Sequence, residues 1–216
     1  MGAEMTALIF GSVSSPRWDY LKHRYPEPAL VICADGGVRC ARSAGYAPDL
    51  LVGDWDSGGA PEAGIPSVTL PAEKDLTDLQ AAAELALERG FVRLVFTACV
   101  GGRLDQTAAN LTLLEWVHDR GGEATLLDAG NEARFWDGAA LTLERDARYR
   151  FLSLIPLDRQ IDGVTQRGVK YPLTKATLTR GETLSVSNEI VEEQALLSAD
   201  SGRLLVVRSQ KHTQER

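Results

Sequence analysis

Five stretches in the amino-terminal half and middle of the chain are apolar almost without interruption: "TALIFG", "ALVICAD", "DLLVGD", "VRLVFTACV" and "EATLLDA". A strand with one face in water alternates apolar and polar residues. A strand buried on both faces reads as a continuous apolar run. Between these runs lie segments with helical spacing. "DLTDLQAAAELALERG" places Leu79, Ala82, Ala83 and Ala86 on one stripe and stops at Gly90. Asp75 stands where a cap belongs, with Asp78 three residues on, as in a capping box. "DQTAANLTLLEWVHDRGG" repeats the form and stops at Gly121 and Gly122. "GGVRCARSAGY" is a shorter helix. Alternation of strand and helix predicts an α/β fold with a doubly wound, mostly parallel sheet.

The rhythm changes near residue 130. "AALTLERDARYRFLSLIPL", "IDGVTQRGVKYPL", "ATLTRGETLSVSNEI", "QALLSAD" and "GRLLVVRSQ" are short strand-like pieces parted by glycine, proline and charge. They predict a smaller all-β domain, a β-sandwich of antiparallel strands. The expected division is residues 1–132 for an α/β nucleotide-binding catalytic domain and 133–216 for the β-sandwich.

Composition excludes several classes. A formal net charge of -7 argues against a general nucleic-acid binder, which needs a basic face. It permits a nucleotide ligand, since a metal and local groups can meet phosphates. Cys33, Cys40 and Cys99 form no CxxC, and His23, His118 and His212 lack zinc-ligand spacing. The cysteines read as buried thiols in a reducing compartment. No apolar run is long enough for a bilayer helix, and "MGAEMTALIFG" lacks the form of a secretory signal. A cytoplasmic location with no membrane partner is the expectation.

Carboxylates recur where the apolar runs end. Asp35 stands in "ADGG", Asp54 and Asp56 in "GDWDS", Asp75 and Asp78 in "KDLTD", and Asp105 in "GGRLD". Each alone is ordinary turn or cap chemistry. Recurrence at successive strand ends is not, because doubly wound sheets bind ligands outside the carboxyl ends of their strands. Gly36, Gly37, Gly53, Gly101 and Gly102 permit tight turns and close approach. Gathered carboxylates raise one another's pKa unless a cation compensates. Oxygen-only ligands favour a hard ion, with Mg²⁺ the common partner of phosphates. Asp54 and Asp56 are two apart and share an ion only if the loop turns. Arg103 and Lys74, each before a helix start, supply positive charge for phosphate. A P-loop, the protein-kinase motifs, GxGxxG and GxSxG are all absent.

Together "ADGG", "PDLLVGDWDS", "EKDLTDLQAA" and "GGRLDQTAANLTLL", followed by "FLSLIPL", "GVTQRGVKYPL", "LSVSNEI" and "GRLLVV", resemble the thiamine pyrophosphokinase (thiamine diphosphokinase) family over nearly the whole chain. The resemblance implies transfer of the diphosphate of ATP to the hydroxyl of thiamine, giving thiamine diphosphate and AMP, with Mg²⁺. It also implies a homodimer with thiamine at the subunit interface. By motif, Asp54, Asp56, Asp75, Asp78, Arg103 and Asp105 form the implied catalytic centre. Asp54, Asp56, Asp75 and Asp105 are the implied metal ligands. Asp35, Gly36, Gly37, Lys74, Arg103, Gln106, Ser187 and Asn188 are the implied ligand-binding residues. Trp136, Trp55 and Tyr171 are candidates to stack on the cationic thiamine rings.

Two departures from the pattern the resemblance implies stand out. Gln106 stands where the family usually has histidine, and Cys99 and Val100 precede "GGR" where small residues are common. Glutamine can hydrogen-bond but cannot titrate near neutrality. Two other readings share the motifs: a pyrophosphokinase for another hydroxymethyl heterocycle, such as a pterin alcohol, and a non-catalytic nucleotide or thiamine sensor. The second domain favours thiamine over a pterin, and the full carboxylate set favours an enzyme over a sensor.

Overall fold

The structure is a computed structural model that describes residues 5–55, 62–71, 73 and 75–211. Asp56 and Lys74 lie outside the described residues. Two compact units divide the chain, one reaching to Ala129 and the other beginning at Gly130. The first is the larger, a mixed α/β sheet unit, and the second is all-β.

The first unit is built on six strands: β1 (Thr6–Phe10), β2 (Leu30–Ala34), β3 (Leu50–Gly53), β4 (Ser67–Thr69), β5 (Arg93–Thr97) and β6 (Glu123–Leu127). They lie in the order β4-β3-β2-β1-β5-β6, and every pairing is parallel. The chain steps outward from β1 to β4, then returns to place β5 against β1. Strand order therefore reverses between β1 and β5, where a parallel sheet opens a crevice at its carboxyl ends.

The helices are α1 (Asp19–Arg24), α2 (Gly37–Ser43), α3 (Asp78–Glu88) and α4 (Leu104–His118). Leu8 and Phe10 of β1 pack with Tyr20 and Leu21 of α1 and with Cys40 and Ala41 of α2. Ala7 and Ile9 point to the opposite face and are also fully buried. Helix α3 lies against β1, β2 and β3. Burial on both faces is why these strands read as unbroken apolar runs.

Two boundaries and two short elements differ from the sequence expectation. Helix α3 starts at Asp78, and its cap is Thr77, whose Oγ1 accepts from Gln80 N at 3.2 Å. Asp75 is exposed and two residues upstream of that cap. A threonine in extended backbone places its oxygen over the third amide, and Asp75 is too far back to do so. Strand β5 ends at Thr97 although the apolar run continues, because Ala98 turns the backbone left-handed at φ 55°. The short elements α1 and β4 carry no periodic signal, and β4 is largely exposed.

The second unit holds β7 (Asn131–Trp136), β8 (Leu141–Glu144), β9 (Phe151–Pro156), β10 (Gln160–Arg167), β11 (Leu173–Thr179), β12 (Gln194–Ser198) and β13 (Leu204–Ser209). Strand β13 pairs antiparallel with both β7 and β9. The other sheet runs β11-β10-β12-β8, also antiparallel. Trp136, Leu154 and Val206 from the first group pack with Val164, Leu178 and Leu197 from the second. Strand β7 was not expected, because its alternation is masked by Glu132. That carboxylate is 1% exposed and is held by Arg208, its register partner on β13, with Nη2–Oε1 at 2.5 Å. Among the described residues, no helix is long and apolar enough to cross a membrane.

Candidate active site

A cleft of about 600 Å³ opens at the carboxyl ends of β1, β2, β3 and β5 in the first unit. Three of these strands deliver the chain to it through a left-handed residue that is not glycine. Asp35 follows β2 at φ 49°, Trp55 lies just beyond β3 at φ 60°, and Ala98 follows β5 at φ 55°. Such residues cost about 1–2 kcal/mol each relative to a right-handed conformation. They persist where surrounding structure holds them, and they cluster at functional sites.

The strand ends are tied to one another. Gly11 N donates to Thr97 O and Val13 N to Ala98 O, both at 2.8 Å, so the loop after β1 rides on the loop after β5. Gly11 permits this approach, since a Cβ there would stand 2.5 Å from Ala98 O. Asp35 N donates to Val52 O at 2.8 Å, fixing the end of β2 against β3.

The cleft brings together Asp35, Asp54, Asp78 and Arg103, with Gly101, Gly102 and Gln106 beside them. Asp78 is the first residue of α3, and its Oδ1 is shielded from solvent. Its negative charge sits at the positive end of that helix's dipole. Among the described residues of the lining, Arg103 is the cationic one. It donates from Nε to Asp105 Oδ1 at 3.1 Å and from Nη2 to Oδ2 at 2.5 Å. This bidentate pair holds the Asp105 carboxyl below its ordinary range, with Gln106 N adding a bond at 2.9 Å. Both side chains are mostly exposed, so the pair is screened and easily exchanged for another partner.

Among the described residues, the cleft lining does not include Asp75 or Asp105. Gly36 and Gly37 are also outside that lining, and Gly37 is buried: a Cβ there would meet Phe10 O at 2.3 Å, so α2 begins in direct contact with the end of β1. Gly36 caps that helix and has more room. Sequence reasoning missed Ser12, Val13, Thr77 and Asn110, all of which line the cleft. Gly11, at the end of an apolar run, was the available signal for the loop after β1.

Ser187 and Asn188 belong to the second unit. Asn188 is 4% exposed, and its amide is fully engaged. Its Oδ1 accepts from Tyr171 N and Glu189 N, while Nδ2 donates to Gln166 Oε1 and Tyr171 O. It therefore shapes the loop rather than offering a vacant donor. Ser187, at φ 61°, donates its backbone N to Ser153 Oγ and is exposed. Of the aromatic candidates, Trp136 is buried in the β-sandwich core and donates to Ala139 O at 2.7 Å. Trp55 donates to Thr69 Oγ1, and Tyr171 is exposed.

The three thiols are buried. Burial pushes Cys33 up to about 12 and raises Cys40 and Cys99 as well, so none is a nucleophile near neutrality.

Residues 21–126 match the family model for the thiamin pyrophosphokinase catalytic domain, and residues 140–204 match that for the thiamin pyrophosphokinase vitamin B1 binding domain. The chain belongs to the thiamin pyrophosphokinase family. It is 32% identical over 189 residues to a thiamine pyrophosphokinase of Bacillus subtilis (strain 168), covering 85% of this chain and 88% of the relative. It is similar to the crystal structure of thiamine pyrophosphokinase from Bacillus subtilis with a TM-score of 0.86 and 27% identity, over 96% of this chain and 100% of the other. For thiamin pyrophosphokinase from Geobacillus thermodenitrificans the TM-score is 0.83 and the identity 30%, over 97% and 99% of the two chains. The break between the two family domains falls in the stretch where the two compact units meet along the chain.

Proposed function

We propose that this chain transfers the diphosphate of ATP to the hydroxyl of thiamine, giving thiamine diphosphate and AMP. The observation that carries this reading is the cleft at the strand ends, which gathers Asp35, Asp54 and Asp78 around Arg103 and two glycines. The family models over both units support thiamine as the acceptor.

Mg²⁺ suits this donor set. The carboxylates offer oxygen only, and Mg²⁺ is usually held by one or two carboxylates with substrate phosphates and water completing the shell. Asp54, which lines the cleft, would hold the ion, with Asp56, Asp75 and Asp105 as the further ligands the motifs imply. When bound, the ion supplies charge neutralisation at the phosphoryl oxygens.

The protein's own groups do the rest. Arg103 exchanges Asp105 for phosphoryl oxygens, presenting the same two-pronged donor to a stronger anion. The glycine loop lets backbone amides approach the diphosphate. Asp78 orients the attacking hydroxyl for in-line displacement at the β-phosphorus, with AMP as the leaving group. An ordinary carboxylate is a weak base, so positioning matters more here than proton abstraction.

The acting form is a homodimer in the cytoplasm, with thiamine bound where two subunits meet. Leu184 and Val186, which precede Ser187, are 60% and 40% exposed, and apolar side chains beside the implied thiamine residues support a covering partner. The test is incubation of the pure protein with ATP, Mg²⁺ and either thiamine or a pterin alcohol, followed by separation of AMP from ADP. AMP formed with thiamine alone is the expected result. ADP, or AMP formed only with the pterin alcohol, would overturn the reading.

A further inference from the structure

The stretch from Gly101 to Arg103 carries the cleft's cation, yet packing does little to hold it. Gly101 and Gly102 adopt φ 105° and 67°. A Cβ at Gly102 would meet nothing within 4 Å, and one at Gly101 would meet only Val13 Cγ1 at 3.6 Å. Hydrogen bonds from α4 take the place of packing. Thr107 Oγ1 accepts from Gly101 N at 3.1 Å and donates to Arg103 O at 3.2 Å. A hydroxyl has one donor and two acceptor sites, so both bonds coexist. Asn110, 5% exposed, adds a second tie by donating from Nδ2 to Cys99 O at 2.8 Å.

A threonine inside a helix often bonds back to the carbonyl four residues earlier, and the bond to Arg103 O is of that kind. The bond from Gly101 N is not. It reaches outside the helix to the first residue of Gly-Gly-Arg, while the other bond holds the last. One hydroxyl thus closes a ring around the two glycines and fixes the direction in which Arg103 leaves the backbone.

We propose that Thr107 is a positioning residue, whose hydroxyl sets the glycine loop so that Arg103 meets the phosphates of the nucleotide. This rests on the proposed phosphoryl-transfer role of the cleft. A guanidinium fork engages phosphate through two parallel bonds and tolerates little displacement, and a misplacement of about 1 Å can cost on the order of 100-fold in rate.

The test compares Thr107→Val, which keeps the branched shape and loses the hydroxyl, with Thr107→Ser, which keeps the hydroxyl. Three quantities are measured: hydrogen exchange at Gly101 N–H, calorimetric affinity for a non-hydrolysable ATP analogue with Mg²⁺, and kcat and KM for ATP and for thiamine. In Thr107→Val, Gly101 exchange should rise by about 10-fold or more, and kcat/KM for ATP should fall roughly 10- to 100-fold. Analogue affinity should weaken, while KM for thiamine stays within about 2-fold of the original protein. Thr107→Ser should lie within about 3-fold of the original protein throughout. Unchanged analogue affinity and ATP kinetics in Thr107→Val would overturn the proposal. So would a lowered Tm with those values unchanged, which marks Thr107 as structural. If the original protein binds the analogue but makes no AMP, the proposed reaction fails, and the affinity and exchange measurements still decide the role of Thr107. If it binds no nucleotide, both fail.

Discussion

Two adjacent glycines in "ADGG" should respond very unequally to the same substitution. Gly37→Ala would place a Cβ 2.3 Å from Phe10 O, 3.0 Å from Phe10 C and 3.1 Å from Gly11 O. All three are backbone atoms at the end of a fully buried strand, so no side chain can swing aside. Relief requires α2 to lift from β1 by about 1 Å, and Asp35, two residues away, would move with it. Overpacking of this kind costs about 1–3 kcal/mol, and a backbone obstacle belongs at the upper end. Alanine recovers up to about 1 kcal/mol of helix propensity at the first helical position. The net expectation is a loss of about 2 kcal/mol, or a fall in Tm of roughly 4–8 °C for a chain of this size. Gly36→Ala meets only Arg39 Nη2 and Ser12 Cβ, each at 3.4 Å, and should cost about 0.5 kcal/mol as a weaker cap. Thermal melts followed by circular dichroism, checked by urea titration, measure both. A Gly37→Ala protein that melts within about 1 °C of the original, or a larger loss in Gly36→Ala, would refute the close-approach argument.

Glu132→Gln should destabilise the second unit by about 3–5 kcal/mol in urea unfolding, because it strands the buried Arg208 charge. Replacing both partners with apolar residues of similar volume should cost less than that single change. Asp146 is held at about 2 by its bonds to Arg148, below its ordinary value of 3.8. A depressed carboxylate stabilises the fold fully above about pH 4 and loses that contribution as pH falls through about 2. The pair is partly exposed, so screening leaves about 1 kcal/mol, and Asp146→Asn should remove that part of the acid dependence of Tm. Gln106→His should preserve the fold and leave the pH profile of kcat/KM unchanged apart from scale, because Arg103 already supplies charge in the cleft. A large gain in the variant below about pH 6.5 would show instead that the missing imidazole acts in the reaction.

The first unit was legible because each inner strand is buried on both faces, so "TALIF" and "LVICA" carry a signal that survives without neighbours. The carboxylates were legible for a related reason: Asp35 and Asp54 follow the last buried residue of their strands. What sequence could not supply was the direction in which loops turn. Asp75 and Asp105 belong to the same acidic motifs as Asp78. Yet Thr77 caps α3 while Asp75 stays exposed, and Asp105 turns to Arg103. Ala98 ends β5 through a left-handed turn that nothing in an apolar "TACV" announces. Strand β7 was hidden because Glu132 reads as a surface residue until Arg208, far along the chain, is placed opposite it. Asn188 was found by motif, but its side chain proves to be a structural hub whose four bonds depend on Tyr171 and Gln166.

The proposed reaction at the cleft formed by the ends of β1, β2, β3 and β5 carries a diphosphate, not a single phosphate, from ATP to thiamine. It is tested most directly with ATP labelled at the β-phosphorus, thiamine and Mg²⁺, comparing the original protein with Asp54→Asn. The original protein should move the label into thiamine diphosphate, one for each AMP formed. Asp54→Asn should melt normally and transfer label at least about 100-fold more slowly, as expected for loss of a group that acts on the transferring phosphates. Label retained in ADP, or transfer by Asp54→Asn at the original rate, would contradict it.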